Sequence, residues 1–539
     1  MRTAIVTGSS SGVGLSVAVE LASRGWQVIG LDFGDGAGLR GAAKLVGVGE
    51  NVGHLEVDIT DRIQVSLAMA RISTSFGYRL SALANCAEVL VSGSFDEVSI
   101  REFRRQFDLN LTGVMNVTRA ALPALRETTG SRIVNLSSEA GLSGMPGSAG
   151  FSGSKWGLEG WTEAIAHELH PLGVGVALVE PAVVVSGLDG GSGVELDQMA
   201  VSDAVVAAVE GRRRLRQPVG LSARIRCAAR GMFPAGFQHA IVARSTGREF
   251  AKPPVRHSDG VVLVTGSSSG FGLEIVVELA RRGRRVAATM RDMASREKLD
   301  EALMTGGLSE RVEVLQMDVT DPGSVYDVFT VVDRWEEIAG EKGRLIGVVN
   351  NAGVQAVGAF EEIPPGAVDH MMDVNLFGTV TVTRAALPRM RPHGGRIVFV
   401  SSSSALVGEP TWAAYAASKW AVEGWVESLA VEVAPYGIGL MLVEPGAFST
   451  NLNRDGTFFG SEESPYQLMS DAMAEADRHQ LERAGNPIAV ARVVASAFDT
   501  RRVPIRRPVG RDAWVRWMVR GTIPIGVQRW VRNRTLGLQ

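Results

Sequence analysis

The chain has 539 residues, which is enough for two α/β domains of about 250 residues each. With 55 Lys and Arg against 58 Asp and Glu, its formal net charge of −3 provides no overall field that would attract nucleic acid. Only Cys86 and Cys227 are present, which argues against a disulfide scaffold and for a reducing, cytoplasmic compartment.

The first half begins with an apolar strand that leads directly into a glycine-rich turn, TGSSSGVG at 7–14. This start leaves no room for a signal peptide, and no apolar run reaches the ~20 residues of a membrane span. Gly8, Gly12 and Gly14 lie between the strand and a helix, where missing side chains let the backbone approach a pyrophosphate. Short aliphatic runs such as RIVNLSS and GVGVALVEP then alternate with helices and predict a doubly wound parallel sheet of the Rossmann-like α/β class.

The second strand of the first half ends in an acidic residue. Asp32 closes VIGLD, and a carboxylate there can accept both ribose hydroxyls of NAD while repelling a 2′-phosphate. If the first half binds a nucleotide, we therefore expect it to prefer NAD(H).

The second half repeats the first. TGSSSGFG at 265–272 repeats the glycine turn, and YAASKWAVEGW at 415–425 repeats FSGSKWGLEGW at 151–161, an offset of 264 positions. The same offset relates Ser402 to Ser138. This spacing predicts an internal duplication and therefore two tandem α/β domains.

A stretch with two prolines separates the repeats. Residues 251–258, AKPPVRHS, combine these prolines with charge and are predicted to form a short stiff linker. We therefore place the two domains at 1–250 and 259–539.

In the second half, Gly266, Gly270 and Gly272 repeat the glycine arrangement, but the end of the following strand differs. VAATMR places Met290 where the first half has its carboxylate, and Arg291 comes next. Because the repulsion is gone and a guanidinium can bind a phosphate, the second half is predicted to prefer NADP(H). The alternative is that Arg291 is an ordinary solvated residue.

A candidate catalytic group follows in the second half. Tyr415 and Lys419 lie four apart on one face of a helix, so the ammonium can sit beside the phenol and favour its ionised form. A free phenol titrates near pH ~10, so the cation would make the tyrosine a usable general acid or base. Ser402, thirteen positions before the tyrosine, can polarise a carbonyl oxygen held between them.

These residues, together with TGSSSGFG and NNAG at 350–353, resemble the short-chain dehydrogenase/reductase family, because four motifs agree in order and spacing. The resemblance implies that Tyr415 is the general acid/base and that Lys419 holds the nicotinamide ribose. It also implies that Ser402 positions the carbonyl and that Asn375 supports a proton-relay water.

The resemblance further implies a set of cofactor contacts at the glycine turn and the strand ends. In the second half these are Gly266, Ser267, Ser269, Gly270, Phe271, Gly272, Arg291, Asp318, Val319, Asn350, Ala352, Gly353, Tyr415, Lys419, Pro445 and Gly446. In the first half they are Gly8, Gly12, Gly14, Asp32 and Asp58. Asp58 and Asp318 would hold the adenine edge, although plain loop caps would look the same.

The first half departs from the family pattern at three positions. Phe151 stands where the tyrosine belongs, although the first half retains Asn110, Ser138 and Lys155. Glu88 replaces the glycine of NNAG, and Ala182 replaces Gly446. Because loss of a general acid costs roughly 10²–10⁴-fold, we expect a catalytically inactive, structural or regulatory copy.

Within the family, the second half most resembles 17β-hydroxysteroid and retinol dehydrogenases, which implies a lipophilic ketone or secondary alcohol as substrate. A full substrate lid is implied at about 447–505, because 26 extra residues lie there compared with the first half. The apolar residues of the lid indicate an apolar pocket. Its charged residues are also compatible with other substrates, such as 3-oxoacyl compounds. These apolar residues are Phe448, Phe458, Phe459, Tyr466, Leu468, Met469 and Met473. The alternative function is a nucleotide-sensing scaffold that regulates a partner.

Paired tryptophans follow the lysine in both halves, at Trp156, Trp161, Trp420 and Trp425. They either dock the halves as an internal pseudo-dimer or serve the core of each half. Further oligomerisation stays open.

The C-terminal segment interleaves Trp514, Trp517 and Trp530 with Arg516, Arg520, Arg529 and Arg532. This basic amphipathic surface either rests on a membrane or closes over the protein's own pocket. We predict no metal site, since HELH at 167–170 lacks the HExxH pattern and is interpreted as a solvated helix end.

Overall fold

The computed structural model describes residues 2–76, 79–182, 198–211, 215–229, 260–450 and 457–520, with 527, 531 and 534 as well. The predicted linker lies outside these residues, as do Trp530, Arg529 and Arg532 of the C-terminal segment. Within them the chain forms two seven-stranded parallel sheets flanked by helices, which confirms the predicted fold class.

The strands of the first sheet are β1 Thr3–Thr7, β2 Gln27–Asp32, β3 Val52–Glu56, β4 Ala82–Asn85, β5 Arg132–Leu136, β6 Gly175–Pro181 and β7 Arg216–Val219. The helices of this half are α1 Gly12–Ser23, α2 Ala37–Leu45, α3 Arg62–Phe76, α4 Ile100–Phe107, α5 Val114–Arg126, α6 Ala149–Leu169, α7 Gln198–Glu210 and α8 Leu221–Ala229. The strand order is β3-β2-β1-β4-β5-β6-β7.

The strands of the second sheet are β8 Val261–Val264, β9 Arg285–Met290, β10 Val312–Gln316, β11 Leu345–Asn350, β13 Gly395–Val400, β14 Ile438–Pro445 and β16 Arg506–Val509. Two short strands, β12 Ala356–Val357 and β15 Thr457–Phe458, pair outside it. The helices are α9 Gly270–Arg281, α10 Glu297–Gly306, α11 Pro322–Ala339, α12 Pro365–Met372, α13 Thr379–Met390, α14 Ala413–Val433, α15 Gln467–Glu482, α16 Ile488–Ser496 and α17 Arg511–Val519.

The order of the second sheet, β10-β9-β8-β11-β13-β14-β16, is the order of the first. In both, the chain winds outward from the first strand in one direction and then in the other. The crevice where the direction changes lies at the carboxyl ends of the strands, where ligands bind in this class of sheet. Every residue of β8, β11 and β13 is buried, because helices cover both faces of the sheet.

The two halves pack against each other through α6 and α14. All 21 residues of α6 are buried, since one side faces its own sheet and the other faces the second half. Two glycines make the close approach of these helices feasible. A Cβ on Gly160 would lie 2.4 Å from Cγ of Trp420, and a Cβ on Gly424 would lie 2.4 Å from Cγ of Trp156.

The tryptophans lie at this interface. The rings of Trp156 and Trp420 are 6.3 Å apart, and Trp161 packs edge-on against Phe360 of the second half at 5.2 Å. Trp425 stacks on Phe95 of the first half at 5.3 Å and also contacts its own half. Each of the four tryptophans therefore contacts a ring of the opposite half.

The interpretation of residues 167–170 as a solvated helix end is wrong. His167 and Glu168 are buried, and only His170 at the helix end is exposed. The Glu168 carboxylate accepts hydrogen bonds from the backbone N–H groups of Phe360 and Thr411 in the second half. Burial raises the pKa of Glu168 to about 8, although both hydrogen bonds act in the opposite direction.

The last strand of each sheet begins with an arginine that contacts three carboxylates. Arg506 contacts Glu423, Glu427 and Glu444. Arg216 contacts Glu159, Glu163 and Glu180. One guanidinium does not balance three charges, and burial together with the neighbouring carboxylate raises the pKa of Glu444 to about 7.

Candidate active site

A cavity of about 680 Å³ opens at the carboxyl ends of the strands of the second sheet. Fourteen of the predicted site residues line it: Gly266, Ser269, Gly270, Phe271, Arg291, Asp318, Val319, Ala352, Gly353, Ser402, Tyr415, Lys419, Pro445 and Gly446. The catalytic group and the glycine turn, which lie about 150 positions apart in the sequence, therefore share one cavity.

The other four residues predicted for the second half do not line the cavity. They are Ser267, Gly272, Asn350 and Asn375. Ser267 donates its hydroxyl to the Val264 carbonyl, and Asn350 donates to Thr383. Ser267 and Asn350 thus contact other parts of the second half rather than the cavity.

The glycine turn has the close backbone approach that a nucleotide diphosphate requires. Gly266 has φ +67°, and a Cβ there would lie 2.9 Å from Cα of Ala352. A Cβ on Gly272 would lie 2.1 Å from the carbonyl oxygen of Gly266. Only glycine fits at these positions, and the turn leads into the N-terminus of α9, which favours negative charge. The residues present therefore fit a nicotinamide dinucleotide.

Asn351 also belongs to this turn, and the sequence prediction omitted it. Its amide donates to the carbonyls of Thr265 at 2.9 Å and Gly266 at 3.0 Å. The amide thus links the end of β11 to the glycine turn. The sequence does contain a signal for Asn351, because the first half has Cys86 in place of the second asparagine of NNAG.

Tyr415, Ser402 and Lys419 come together as the sequence predicts. Tyr415 is 5% exposed and hydrogen-bonds Ser402, while the Lys419 ammonium lies 5.8 Å from the centre of the phenol ring. Helix α14 supplies the tyrosine and the lysine from one face, and the turn after β13 supplies the serine.

The expected lowering of the tyrosine pKa is wrong for this structure. Burial raises the pKa of Tyr415 to about 12, and only the hydrogen bond from Ser402 acts against it. Burial lowers the pKa of Lys419 to about 8, and its ammonium donates to the Val400 carbonyl at 3.1 Å. Lys419 is therefore protonated less readily than an exposed lysine, and its ammonium is directed at a backbone carbonyl. Helical spacing alone shows neither effect.

Asn375 is buried in an irregular turn at 373–378 and makes three hydrogen bonds with its side chain. Its oxygen accepts from the Val354 N–H at 2.8 Å, and its nitrogen donates to the Val354 carbonyl and to Ser418. The side chain joins the loop after β11 to the catalytic helix. Asn110 makes the corresponding contacts in the first half.

The strand ends present the residues expected to select the cofactor. Arg291 is exposed at the end of β9 and lines the cavity, with Met290 buried beside it. Asp318 accepts from the backbone and hydroxyl of Thr320. Partial burial opposes these hydrogen bonds, but they hold the pKa of Asp318 below its usual value. The loop-cap interpretation of Asp318 and the adenine contact are therefore compatible.

The substrate side of the cavity is more polar than the lid sequence suggested. Of the apolar residues expected there, only Phe448 and Phe458 line the cavity, while Met469 and Met473 lie in the core and Leu468 is exposed. Polar groups from three segments line it as well, at Glu409, the Trp412 indole, Asp477, Gln480 and Arg516, together with apolar side chains such as Val357 and Leu481.

Two contacts order this polar wall. Arg516 pairs with Glu409 at 2.5 Å, and the Trp412 indole donates to Asp477 at 3.2 Å. Burial raises the pKa of Asp477 to about 6. Because Arg516 is in α17, the described part of the C-terminal segment contributes to the pocket, and Trp514 beside it is 43% exposed.

The corresponding crevice of the first half is arranged differently at its centre. Glu88 forms an ion pair with Lys155 at 2.6 Å, and Phe151 lies where the phenol stands in the second half. Asp32 accepts from the backbone N–H groups of Ser10 and Phe33. The lysine that should face a ribose is neutralised by the protein's own carboxylate.

Within the described ranges, every helix is too short or too polar to span a bilayer. Among the same residues, no group of three His, Cys, Asp or Glu side chains is placed to hold a metal ion.

The chain matches the model of the short chain dehydrogenase family over residues 2–193 and 260–457, which cover most of both halves. Retinol dehydrogenase 8 of Bos taurus is 35% identical over 258 residues, 46% of this chain and 80% of the relative. 17-beta-hydroxysteroid dehydrogenase type 1 of Homo sapiens is 40% identical over 195 residues, 35% of this chain and 57% of the relative.

A crystal structure of the N-domain of a bacterial malonyl-CoA reductase with NADP shares the fold. Its TM-score is 0.62 at 18% identity, and the match covers 82% of this chain and 91% of that chain. At this identity the likeness concerns the fold alone. Because the family model matches most of both halves, the chain belongs to the short-chain dehydrogenase/reductase family, and its two halves are tandem copies of one domain.

Proposed function

We propose that the chain is an NADP(H)-dependent oxidoreductase that interconverts a lipophilic ketone and a secondary alcohol in the cavity of the second half. The observation that carries the proposal is that Tyr415, Ser402 and Lys419 line the same cavity as the glycine turn and Arg291. A proton donor, a carbonyl-binding hydroxyl and a nucleotide cradle are the parts that hydride transfer to a carbonyl needs.

When bound, the nicotinamide cofactor supplies or accepts the hydride. In reduction, Tyr415 donates a proton from its Oη to the carbonyl oxygen. In oxidation, the same Oη takes the proton from the alcohol oxygen. Burial raises the pKa of Tyr415 to about 12, which favours the protonated form that reduction needs. Ser402 holds the carbonyl oxygen beside the phenol, and Lys419 donates hydrogen bonds at the ribose side.

Arg291 would bind the 2′-phosphate of NADP(H), because its exposed guanidinium stands at the strand end where no carboxylate repels that group. Asp318 and Val319 would flank the adenine. In the first half, Asp32 favours NAD(H) if a nucleotide binds there, but the Glu88–Lys155 pair opposes binding of the nicotinamide ribose.

The substrate class is proposed as a lipophilic carbonyl compound with one polar end. The names of two relatives, a retinol dehydrogenase and a 17-beta-hydroxysteroid dehydrogenase, point to such alcohols. The mixed wall supports the polar end, since Phe448 and Phe458 line the cavity together with Glu409 and Asp477. An apolar body and a hydrogen-bonding group would then both find partners.

The test is NADPH consumption with a panel of steroid, retinoid, 3-oxoacyl and small aromatic ketones. Wild type should turn over at least one ketone, and Tyr415→Phe should not. Tyr326→Phe is the matched control, because that tyrosine is 65% exposed and does not line the cavity. Nucleotide binding without turnover across the panel would instead favour the alternative, a nucleotide-sensing scaffold that regulates a partner.

A further inference from the structure

The inference concerns what the inactive half contributes to the active site, and it rests on the function proposed above. Glu168 belongs to α6 of the first half and is 2% exposed. Its two carboxylate oxygens accept separate backbone hydrogen bonds from the second half. One comes from the Thr411 N–H at 2.8 Å and the other from the Phe360 N–H at 2.9 Å.

Thr411 stands directly before the catalytic helix in an unfavourable backbone conformation. Its φ is +66°, the only positive φ of a non-glycine residue in the described part of the chain. A β-branched residue rarely adopts this conformation, so surrounding contacts must enforce it. Its neighbours Glu409 and Trp412 line the cavity, and the Trp412 ring lies 5.6 Å from the Tyr415 ring.

Phe360 belongs to the segment that forms the opposite side of the substrate wall. The Gly358 N–H donates to the Thr411 carbonyl at 2.8 Å, so this segment and the turn are joined directly. Val357 lines the cavity, and its carbonyl accepts from the N–H of Phe459, which directly follows the lid strand β15, at 2.7 Å. One buried carboxylate thus fixes two segments that carry substrate-side residues.

We propose that Glu168 of the first half is a positioning residue for the active site of the second half, holding the 409–412 turn and the 357–360 segment in register with Tyr415. Buried backbone N–H groups need acceptors, and the two oxygens of the Glu168 carboxyl group provide one acceptor to each segment. The inactive copy therefore completes the catalytic copy without touching substrate or cofactor.

The duplication provides a matched control. Glu432, the counterpart of Glu168 in α14, accepts from the N–H groups of Phe95 at 2.7 Å and Gly147 at 2.9 Å in the first half. Gly147 has φ +74° and precedes the helix that carries Phe151. Glu432→Gln therefore makes the same chemical change beside the silent crevice.

The experiment compares Glu168→Gln with Glu432→Gln in the full chain. A glutamine places an NH₂ group against one of the two N–H donors, so one hydrogen bond is lost in each variant. Glu168→Gln should lower kcat/KM for a ketone at least about tenfold, while the Kd for NADPH stays within about twofold. Amide hydrogen exchange should accelerate about tenfold in 357–361 and 409–412. Glu432→Gln should accelerate exchange around 95 and 147 and leave kcat/KM unchanged.

Two results would overturn the proposal. One is an equal loss of kcat/KM in both variants, which would mean that each carboxylate only stabilises the interface. The other is unchanged exchange at Thr411 and Phe360 in Glu168→Gln. If Glu168→Gln does not fold, Glu168→Asp keeps both carboxyl oxygens with a shorter reach and is expected to give the same pattern in smaller degree. If wild type reduces no ketone, the proposed function fails, whereas the exchange measurements still decide the positioning.

Discussion

The two crevices of the molecule have the same strand order and the same glycine turn but differ where a nicotinamide would lie. In the second half, Gly353 leaves Lys419 facing an open cavity, since a Cβ there would already be 3.5 Å from the ammonium. In the first half, Glu88 occupies that place and pairs with Lys155. A single backbone position therefore decides whether the lysine is available to a ligand or bound by the protein.

The interface between the halves shows the opposite behaviour. Glu168 and Glu432 make equivalent hydrogen bonds, and Gly160 and Gly424 accommodate equivalent tryptophans. The first half has Phe151 and Glu88 where the second half has a tyrosine and a glycine, but the two halves have equivalent residues at the interface. The comparison teaches that the contacts between the halves are alike on both sides, whereas the crevices differ.

Removal of the phenol hydroxyl is the largest expected change. Tyr415→Phe gives the second half the residue that the first half has, and kcat should fall by about 10²–10⁴-fold because the proton donor is lost. Steady-state NADPH oxidation measures it, with the Kd for NADPH as the control for folding. A rate within threefold of wild type would contradict the proposal that Tyr415 is the proton donor and that Phe151 makes the first half inactive.

Placing the glutamate of the first half at the equivalent glycine of the second half is expected to have the second largest effect. Gly353→Glu should weaken NADPH binding by about tenfold or more, because the new carboxylate pairs with Lys419 and occupies the place of the ribose. Equilibrium titration of NADPH fluorescence measures the Kd. Gly353→Gln adds the same bulk without charge, and an equal loss in both variants would assign the effect to size.

The proposed cofactor preference rests on the residues at the ends of the second strands. Arg291→Ala should reduce the ratio of NADPH to NADH affinity by about tenfold, because one charge-assisted contact with the 2′-phosphate is removed. Arg285→Ala is the control, since that exposed arginine is on the same strand and does not line the cavity. An unchanged ratio in Arg291→Ala would contradict the NADP(H) assignment.

The smallest expected effect comes from restoring the hydroxyl to the first half. Phe151→Tyr in a Tyr415→Phe background should recover no measurable turnover, because Glu88 still holds Lys155. The same assay with the Glu88→Gly change added tests whether the ion pair is the remaining obstacle. Turnover recovered by Phe151→Tyr alone would show that the Glu88–Lys155 ion pair does not prevent catalysis in the first half.

Much of the site could be predicted because its residues act locally or within short motifs. The glycine turn, the strand-end Arg291 and the Tyr415–Lys419 pair are defined by their position on a strand, turn or helix, and all line the cavity. The sequence also points to Asn375, but this residue does not line the cavity and its side chain is occupied by Val354 and Ser418. The spacing could not show that, since both partners come from other elements.

The substrate wall was predicted less well for the same reason. Composition of the lid indicated an apolar pocket, yet Met469 and Met473 turn into the core while Asp477, four positions after Met473, faces the cavity. Which face of a lid helix meets the substrate depends on how that helix docks. The pKa of Tyr415 likewise depends on its burial, which outweighs the effect expected from a lysine four residues away.

The sequence by itself determined the duplication, the α/β class of each half and the loss of the phenol in the first, because these follow from repeats and local periodicity. Only the tertiary structure decided that Glu168 contacts the turn before the opposite catalytic helix and that Glu88 pairs with Lys155. Such contacts join residues brought together by sheet winding and helix packing, and no local pattern encodes the distance between them.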